Sequence, residues 1–597
     1  MTVLSVENLT TSFRRGGEWV PVVDDVSFGV GSGETVALVG ESGSGKSVTA
    51  LSIMGLLPAR TSRVTGSVTL EGRELLSLGE REMQDVRGNE IAMIFQEPMT
   101  SLNPVLTVGR QISEAIRRHR RVSKAQARAE AIGLLDRVRI ASAEKRVDEY
   151  PHQLSGGMLQ RVMIAMALAC RPKVLIADEP TTALDVTVQA DILELVKSLQ
   201  DEERMGVLFI THDMGVVAEV ADRTVVMFRS KALESGSTQD IFARPETGYT
   251  KALLSAVPRL GSMEGRAHPA TFPLTDVDTG QVLPEREVPT PVGAPVLEVR
   301  DLVTRFDIKS GVLGRVTGRV HAVEDVSFDI RQGETLSLVG ESGSGKSTTG
   351  RSVLRLVEPV SGTVRVAGQD VRAMSRARLT KQRRQMQMIF QDPFSSLNPR
   401  MRVGDAIAEP MRVHGLADKR ELPDRVADLL TRVGLSPDMA RRFPHEFSGG
   451  QRQRVSVARA LALDPALIVA DESVSALDVS IKAQVVNLLM ELQENLKIAY
   501  LFISHDMAVV ERVSHRVAVM YLGEIVEIGT RAQIFEDPQH PYTKRLMEAV
   551  PVADPARRRQ RMSRTGMEIK SAVRPVGHVV PKTVYREQSP GHLVKEN

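Results

Sequence analysis

The sequence predicts an α/β fold that the chain contains twice. Apolar strands such as "TVALVG", "KVLIADE" and "VLFITHD" alternate with amphipathic helical stretches, a pattern typical of a mainly parallel sheet. The string "VGESGSGKS" occurs at Val39–Ser47 and again at Val339–Ser347, an interval of 300 residues. Because this interval is the size of a domain, the chain is a tandem duplication. The strand-poor segments at roughly 105–165 and 400–458 indicate a helical subdomain in each half.

Other landmarks repeat at the same spacing in both halves. From Ser155 to Glu179 is 24 residues, and from Ser448 to Glu472 is also 24 residues. The histidine of "ITHD" follows the first glutamate by 33 residues, and that of "ISHD" follows the second by 33. Spacing held across several motifs supports duplication of a whole domain.

The duplication divides the chain into four segments. Residues 1–257 and 296–551 are predicted as the two domains. Residues 258–295 are rich in proline and glycine without an amphipathic period, which predicts an extended linker. Residues 552–597 are predicted as a basic, proline-containing C-terminal tail, which touches anionic lipid or is simply solvated.

The composition excludes several classes of protein. The chain has 597 residues, 42% hydrophobic and 25% charged, as in an ordinary globular protein of several domains. The formal net charge of +3 gives no reason to expect nucleic acid as a partner. The lone Cys170 rules out a disulfide framework and any cluster built from several thiolates. We expect no signal peptide and no membrane span, because the sequence lacks the apolar runs that either requires.

Each half contains a predicted phosphate-binding loop between a strand and a helix. In the pattern G-x-x-x-x-G-K-S, glycines let backbone N–H groups point at phosphate oxygens beside the positive end of a helix. Lys46 and Lys346 are expected to reach the β- and γ-phosphates, and the hydroxyls of Ser47 and Ser347 to hold Mg²⁺. The predicted loop residues are Gly40, Glu41, Ser42, Gly43, Ser44, Gly45, Lys46 and Ser47, and in the second half Gly340, Glu341, Ser342, Gly343, Ser344, Gly345, Lys346 and Ser347.

Catalytic side chains are predicted at the ends of the following strands. Asp178 and Asp471 are placed to coordinate Mg²⁺, and Glu179 and Glu472 to orient and polarise the attacking water. Strands often end in solvated acids, but the matched spacing after a phosphate loop favours catalysis. The two histidines of the repeated strand ends, where active sites of open α/β sheets lie, are predicted to contact the γ-phosphate; they are His212 and His505.

Two further motifs name a family. "QLSGGMLQR" (Gln153–Arg161) and "EFSGGQRQR" (Glu446–Arg454) resemble the signature sequence of ABC-type ATPases, which other phosphate-loop enzymes lack. The resemblance covers roughly residues 1–257 and 296–551. It implies two tandem phosphate-loop ABC ATPase domains, each with a mainly parallel RecA-like core, an antiparallel β subdomain and a helical subdomain.

The resemblance also implies how the two sites are assembled. The domains of this family meet head to tail, and each lends its signature loop to the nucleotide of the other, so that ATP closes the halves and hydrolysis releases them. Both halves retain the catalytic groups, which implies two competent sites using ATP and Mg²⁺. The implied nucleotide-binding residues are Gln96, Gln391 (both also Mg²⁺ ligands), Ser155, Gly156, Gly157, Ser448, Gly449, Gly450, the D-loop residues Asp185 and Asp478 of the two "ALD" motifs, and Phe13 and Phe306, which stack on adenine unless they are core residues.

Three stretches resemble one branch of the family. "FQEPMTSLNP", "FQDPFSSLNP" and "HPYTKRLMEAVP" are similar to ATPases of di- and oligopeptide, glutathione and nickel importers. The resemblance implies an ATP-hydrolysing subunit at the cytoplasmic face of the inner membrane. Its implied partners are two integral-membrane permease subunits and, indirectly, an extracytoplasmic substrate-binding protein, but no nucleic acid. No iron–sulfur cluster is expected, although several members of this branch carry one. The alternative is a soluble ABC ATPase that acts on ribosomes or nucleic acid.

The repeated phrase also suggests a contact with the permeases. Gln96 and Gln391 match the glutamine of the family's Q-loop. Four apolar residues follow them, and we expect these to face outward and help form a groove for a short permease helix; they are Met99, Leu102, Phe394 and Leu397. The alternative is that these side chains pack the junction between the core and the helical subdomain.

Overall fold

The structure is a computed structural model, and its described residues form two compact units. The described residues are 1–182, 184–275, 281–289, 293–310, 315–392, 396–557 and 572–596. Within these ranges, the first unit contains residues 1–257, 275, 281 and 551–557, and the second contains 258–274, 282–550 and 572–596.

The first unit is built on two sheets. Its strands are β1 Thr2–Arg15, β2 Glu18–Gly31, β3 Thr35–Val39, β4 Ser62–Leu70, β5 Arg73–Glu74, β6 Ile91–Ile94, β7 Val174–Asp178, β8 Gly206–Ile210, β9 Arg223–Phe228 and β10 Lys231–Ser237. The central sheet has the order β10-β9-β3-β8-β7-β6, in which only β10 runs antiparallel to its neighbour. The second sheet, β2-β1-β4-β5, is antiparallel throughout. This is the predicted parallel core with an antiparallel β subdomain.

The helices of the first unit include the predicted helical subdomain. They are α1 Lys46–Ile53, α2 Glu80–Val86, α3 Pro98–Ser101, α4 Val108–His119, α5 Lys124–Arg137, α6 Ala143–Arg146, α7 Gly156–Ala167, α8 Val186–Glu203, α9 Met214–Val220, α10 Thr238–Ala243 and α11 Gly248–Ser255, with a 3₁₀ turn at Pro151–Gln153. Helices α4, α5 and α7 share one apolar cluster, to which Ile112, Leu135 and Val162 each contribute a fully buried side chain. The helices of the subdomain therefore pack around an apolar cluster that also includes residues of the central sheet.

The second unit repeats this plan with additional strands. Its strands, after the short β11 Leu274–Thr275 and β12 Val282–Leu283, are β13 Pro295–Ser310, β14 Arg315–Arg331, β15 Thr335–Val339, β16 Ser361–Val366, β17 Gln369–Asp370, β18 Met386–Ile389, β19 Leu467–Asp471, β20 Ala499–Ile503, β21 Arg516–Tyr521, β22 Glu524–Thr530, β23 Val573–Arg574, β24 Tyr585–Ser589 and β25 His592–Lys595. The central sheet has the order β18-β19-β20-β15-β21-β22-β25-β24, and the antiparallel sheet has the order β17-β16-β13-β14-β23.

The helices of the second unit follow the same order as those of the first. They are α12 Lys346–Val353, α13 Arg376–Gln382, α14 Val403–Val413, α15 Leu422–Arg432, α16 Gly449–Leu461, α17 Val479–Leu496, α18 Met507–Val513, α19 Arg531–Glu536 and α20 Pro541–Ala549, with 3₁₀ turns at Arg383–Gln385, Pro437–Arg441 and Pro444–Glu446. The 3₁₀ turn at Pro555–Arg557 belongs to the first unit. In the part of the chain that the structure describes, no helix is long and apolar enough to cross a membrane.

Part of the segment predicted as a linker packs against the second unit. Met263 and Phe272 are buried. The Phe272 N–H donates to the Asn487 side chain at 2.7 Å, and the Gly261 N–H donates to the Glu511 carboxylate at 2.9 Å. Because apolar residues are sparse in this stretch, the sequence did not indicate that a few of them would be buried and anchor it. The domain boundaries themselves stay a prediction.

The C-terminal residues add strands to the second unit. Strand β23 pairs with β14, and β25 pairs with β22 and β24. His592 of β25 lies 2.8 Å from Glu527, and both side chains are almost completely buried. The arginines at 558, 559, 561 and 564, which make the predicted tail basic, lie outside the described residues.

Candidate functional site

The candidate site of each unit lies at the carboxyl ends of the parallel strands. In the first unit the phosphate loop joins β3 to α1, and Gly40 and Gly45 have φ angles of 148° and 104°. A Cβ on Gly40 would lie 2.2 Å from the Met227 carbonyl oxygen, and one on Gly45 would lie 2.5 Å from that of Val22. Any other residue at these two positions would therefore clash with backbone, and the second loop repeats this geometry at Gly340 and Gly345.

The lysine of each loop is buried and turned back across its own loop. Lys46 Nζ donates to the carbonyl oxygens of Gly40 and Glu41 at 2.8 and 3.0 Å. Lys346 makes the same two bonds in the second unit, at 2.7 and 2.8 Å. A buried ammonium costs less free energy when carbonyl oxygens accept its hydrogen bonds. The lysines are thus held at the mouth of the glycine-rich loop, where phosphate oxygens would be the stronger acceptors.

The serine and aspartate predicted to hold Mg²⁺ are brought together in both units. Ser47 Oγ donates to Asp178 Oδ1 at 3.0 Å, and Ser347 Oγ donates to Asp471 Oδ1 at 2.7 Å. A hydroxyl and a carboxylate oxygen at this separation are the hard donors that Mg²⁺ prefers, so the residues present fit the ion. Among the described residues, no group of three or more His, Cys, Asp or Glu side chains is arranged to hold a metal. The remaining ligands of a bound Mg²⁺ would be phosphate and water.

Burial disfavours the ionised form of these aspartates. Burial raises the pKa of Asp178 to about 6, and the nearby charge of Glu179 adds to the rise, although the Ser47 hydrogen bond and Lys46 oppose it. Burial likewise raises the pKa of Asp471. A folded pKa above the ordinary 3.8 means that Asp178 favours folding most at low pH, and that this contribution is lost as the pH rises from about 4 through about 6.

We therefore expect Asp178→Asn to stabilise the nucleotide-free protein while abolishing hydrolysis at the first site. Asparagine still accepts the Ser47 hydrogen bond but carries no charge. The gain in unfolding free energy should be about 1–3 kcal/mol above pH 6 and should vanish near pH 4. Urea denaturation at a series of pH values measures it. A gain that is the same at pH 4 and pH 8 would show that the carboxylate charge is not its cause.

Each predicted catalytic glutamate contacts a glutamine and a histidine of its own site. Glu179 accepts hydrogen bonds from Gln96 and Thr182, each at 2.9 Å, and its other oxygen lies 3.1 Å from His212 Nδ1. Burial by itself would raise the pKa of Glu179, but the hydrogen bond and charge of His212, with the Thr182 bond and Lys46, lower it to about 2. The carboxylate is thus ionised at neutral pH and can accept a hydrogen bond from water.

The second unit holds its glutamate in the same way. Gln391 donates to Glu472 at 2.7 Å, and His505 Nδ1 lies 3.4 Å from the other carboxylate oxygen. The pKa of Glu472 is lowered, because His505 and Lys346 outweigh the effect of burial. Both glutamates have left-handed backbone conformations, with φ of 48° for Glu179 and 45° for Glu472. A non-glycine residue held in that region is strained, and such strain is common at functional sites.

Two differences between the sites were not predicted from the sequence. Thr182 donates to the Glu179 carboxylate, whereas the corresponding Ser475 donates to the backbone carbonyl of Glu472. The Arg351 guanidinium lies 3.7 Å from Asp471, a position occupied by Leu51 in the first half. In both halves a hydroxyl residue follows the glutamate of "ADE" by three positions. This repetition was the sequence signal that could have identified Thr182.

The signature and D-loop residues begin helices within their own units. Ser155 accepts a hydrogen bond from the Met158 N–H at the start of α7, and Ser448 caps α16 through Gln451. The signature glycines Gly156, Gly157, Gly449 and Gly450 form the first turns of these helices. Asp185 and Asp478 precede α8 and α17, while Ala183 of the first D-loop lies outside the described residues. Their place in a shared nucleotide site stays a prediction.

The predicted adenine-stacking residues lie on the antiparallel sheets. Phe306 is 42% exposed and Phe13 is half-buried, so neither ring is a core residue. Phe13 pairs with Val20 of β2, two residues before Val22, whose carbonyl approaches the phosphate loop. Phe13 therefore lies beside a strand that approaches the phosphate loop, and stacking of the two rings on adenine stays a prediction.

The expected outward-facing leucines after the Q-loop are buried. Leu102 and Leu397 are each 2% exposed, and Leu102 belongs to the apolar cluster of the helical subdomain. The prediction that they face a permease is wrong, because their spacing reflects packing of the subdomain junction. Met99 is 73% exposed, as predicted, and Phe394 lies outside the described residues. Cys170 is half-buried, and burial raises the pKa of its thiol.

Besides Met99, two apolar residues at corresponding positions of the two halves are partly exposed. Phe95 and Leu56 are 38% and 40% exposed in the first unit. Phe390 and Leu356 are 39% and 47% exposed in the second. There they line a cavity of about 180 Å³ that also includes Met388.

Comparison with known families matches both halves of the chain. The family model described as ABC transporter matches residues 23–182 and 323–475. A second, described as the C-terminal region of oligopeptide and dipeptide transporters, matches residues 233–276 and 526–575.

Several curated proteins are similar over the full chain. The glutathione import ATP-binding protein GsiA of Escherichia coli (strain K12) is 57% identical over 602 residues, covering 100% of this chain and 97% of that protein. The protein of the same name from Salmonella choleraesuis is 57% identical over 600 residues, covering 99% and 96%. Among solved structures, the dimeric post-hydrolysis state of the ATP-binding cassette MJ0796 with ADP and Pi is 28% identical, with a TM-score of 0.36, covering 39% of this chain and 98% of that one.

Proposed function

Because this chain belongs to the family of ABC transporter ATP-binding proteins, we propose that it energises a membrane importer of glutathione or related small peptides. The full-length similarity to glutathione import ATP-binding proteins is the observation that supports this substrate class most strongly. The oligopeptide-transporter region matched in both halves agrees with it and disfavours the alternative of a ribosome- or nucleic-acid-directed ATPase.

The geometry of each unit supports ATP hydrolysis by its own residues. Lys46 would bind the β- and γ-phosphates in place of its present carbonyl partners. Ser47, Asp178 and Gln96 would hold Mg²⁺, which supplies positive charge against the phosphate oxygens. Ionised Glu179 orients the attacking water, and Gln96 and His212 fix the position of that carboxylate. The second unit would act through its corresponding residues.

The two sites are proposed to be composite. The signature serine and glycines of each half would complete the site of the other half, so that bound ATP draws the halves together and hydrolysis separates them. The matched Glu–Gln–His arrangements in the two units support two competent sites.

The proposed partners are two integral-membrane permease subunits, with an extracytoplasmic binding protein acting through them. The repeated exposed pairs, Phe95 with Leu56 and Phe390 with Leu356, are the apolar surface that fits a short permease helix. Phe95 and Phe390 directly precede Gln96 and Gln391, the glutamines that contact the catalytic glutamates. The protein would thus lie peripherally at the cytoplasmic face of the inner membrane.

Purification of the tagged chain from its native membrane tests this proposal. We expect two polytopic subunits to co-purify. After reconstitution of the complex in proteoliposomes with the binding protein, we expect glutathione uptake only when MgATP is present on the side of the membrane that carries this chain. The Lys46→Ala/Lys346→Ala double variant should abolish uptake and nucleotide binding, because it removes both phosphate-binding ammonium groups. A dipeptide and Ni²⁺ serve as competing substrates. Co-purification with ribosomes and with no polytopic subunit would overturn the proposal.

A further inference from the structure

The C-terminal helix of each unit contacts the phosphate loop through a tyrosine. Tyr249, at the start of α11, accepts a hydrogen bond from the Glu41 N–H at 3.1 Å. Tyr542, at the start of α20, accepts the same bond from the Glu341 N–H at 2.9 Å. Both tyrosines are buried, with 3% and 6% of their surface exposed. The contact therefore occurs twice, once in each compact unit.

The peptide group that each tyrosine contacts is the one that also holds the lysine. The carbonyl oxygen of Gly40 accepts from Lys46 Nζ at 2.8 Å, and the N–H of the same peptide group, on Glu41, donates to Tyr249. A peptide group is planar, so fixing its N–H also fixes the direction of its carbonyl. In the second unit the Gly340–Glu341 peptide group is held at both ends by Lys346 and Tyr542.

The rings of the two tyrosines are themselves fixed by neighbouring elements. Tyr249 stacks on Phe228, the last residue of β9, with ring centroids 4.1 Å apart. Tyr542 packs in the same way on Tyr521, the last residue of β21, at 4.3 Å. Since β9 and β21 are neighbours of the loop-bearing strands β3 and β15, each hydroxyl is set against its loop by the central sheet.

A glutamate fixes the start of each helix, and the one in the second unit is fully buried. Glu234 accepts from the backbone N–H groups of Glu246 and Thr247 at 2.8 and 3.2 Å, just before α11. Glu527 accepts from those of Gln539 and His540 at 2.8 and 3.0 Å, just before α20. In the second unit Glu527 also pairs with His592 of the C-terminal strand, which ties that strand to the helix.

We infer that Tyr249 and Tyr542 are positioning residues that hold each phosphate loop in its nucleotide-binding conformation and so raise the affinity for ATP. This inference rests on the proposed nucleotide sites. The hydroxyl prevents rotation of the Gly40–Glu41 or Gly340–Glu341 peptide group, which would withdraw the carbonyl that orients the lysine. Without it, bound nucleotide must restore the loop conformation, and the cost of doing so lowers affinity.

Replacing either tyrosine by phenylalanine tests the inference one site at a time. Phenylalanine keeps the ring packing and removes only the hydroxyl. The effect of Tyr249→Phe on nucleotide binding is measured in the Lys346→Ala background, and that of Tyr542→Phe in the Lys46→Ala background. In each background only one site binds nucleotide. With a fluorescent ATP analogue and Mg²⁺ as probe, we expect the dissociation constant to rise about tenfold in each case. Tyr500→Phe, which removes a buried hydroxyl on β20, should leave it unchanged.

A kinetic measurement separates positioning from a purely structural role. In the Tyr249→Phe/Tyr542→Phe double variant, KM for ATP should rise about tenfold while kcat stays within about twofold, since saturating nucleotide restores the loop. A lower melting temperature with unchanged KM would overturn the inference. So would unchanged dissociation constants in the single-site variants. If instead the Lys46→Ala/Lys346→Ala protein still binds the analogue, it is the proposed nucleotide sites that fail.

A measurement on the unaltered protein covers the case in which a variant does not fold. Without nucleotide, the amide hydrogens of Glu41 and Glu341 should exchange slowly, because each is donated to a buried tyrosine. Exchange at the rate of an open loop at both positions would overturn the inference without any substitution.

Discussion

Glu179→Gln and Glu472→Gln should lower the ATPase rate to the same extent, and the double variant should retain about 1% of the rate or less. Each glutamate is ionised, strained and held by a glutamine and a histidine at almost the same distances. Glutamine preserves the shape of the side chain but polarises water poorly, and loss of such a group costs about 10²–10⁴-fold. Phosphate release at saturating MgATP is the measurement.

Nucleotide binding by these variants should be unaffected, because the phosphate loops and Ser–Asp pairs are intact. Glu130→Gln, at a surface pair with Arg120, is the matched control and should retain the full rate. Single variants that differ by more than about fivefold would show that the sites are not equivalent. The Thr182 bond to Glu179 and the Arg351 contact with Asp471 would then be the first differences to test.

Leu102→Asp should unfold the helical subdomain of the first unit rather than uncouple transport. Leu102 is buried in an apolar cluster with Val108 and Ile112, and an unpaired carboxylate there should cost about 4 kcal/mol or more. Leu397→Asp should have the same effect on the second unit, since Leu397 is equally buried. Urea denaturation of the purified protein, followed by circular dichroism, measures both.

The exposed phenylalanines provide the matched comparison. Phe95→Asp and Phe390→Asp should lower the unfolding free energy by about 1–2 kcal/mol, less than the leucine variants, because their side chains already face solvent in part. We expect these variants to retain basal ATPase activity but to lose transport in the reconstituted complex, since they place charge on the proposed permease contact. Stable folding of Leu102→Asp with loss of transport would restore the original assignment of that leucine.

The sequence by itself determined the duplicated α/β fold and most of the residues that the structure brings together. Strand ends in parallel sheets share one edge, so the loop after β3 and the acids after β7 had to lie close in space. The Ser47–Asp178 and Ser347–Asp471 bonds follow from that rule. Glycine-specific backbone conformations at Gly40 and Gly45 were equally readable, because few other residues adopt them.

Only the tertiary structure decided which of these residues are buried in the protein interior. Leu102 and Met99 lie three residues apart in one phrase, yet one is buried and the other exposed. Met99 lies in the one-turn helix α3 and Leu102 follows it, and so short an element shows no period from which burial can be inferred. The tyrosine contacts join residues more than 200 positions apart in sequence. Such pairings depend on how the C-terminal helix returns to the loop-bearing strand, which is set by packing of the whole sheet rather than by any local pattern.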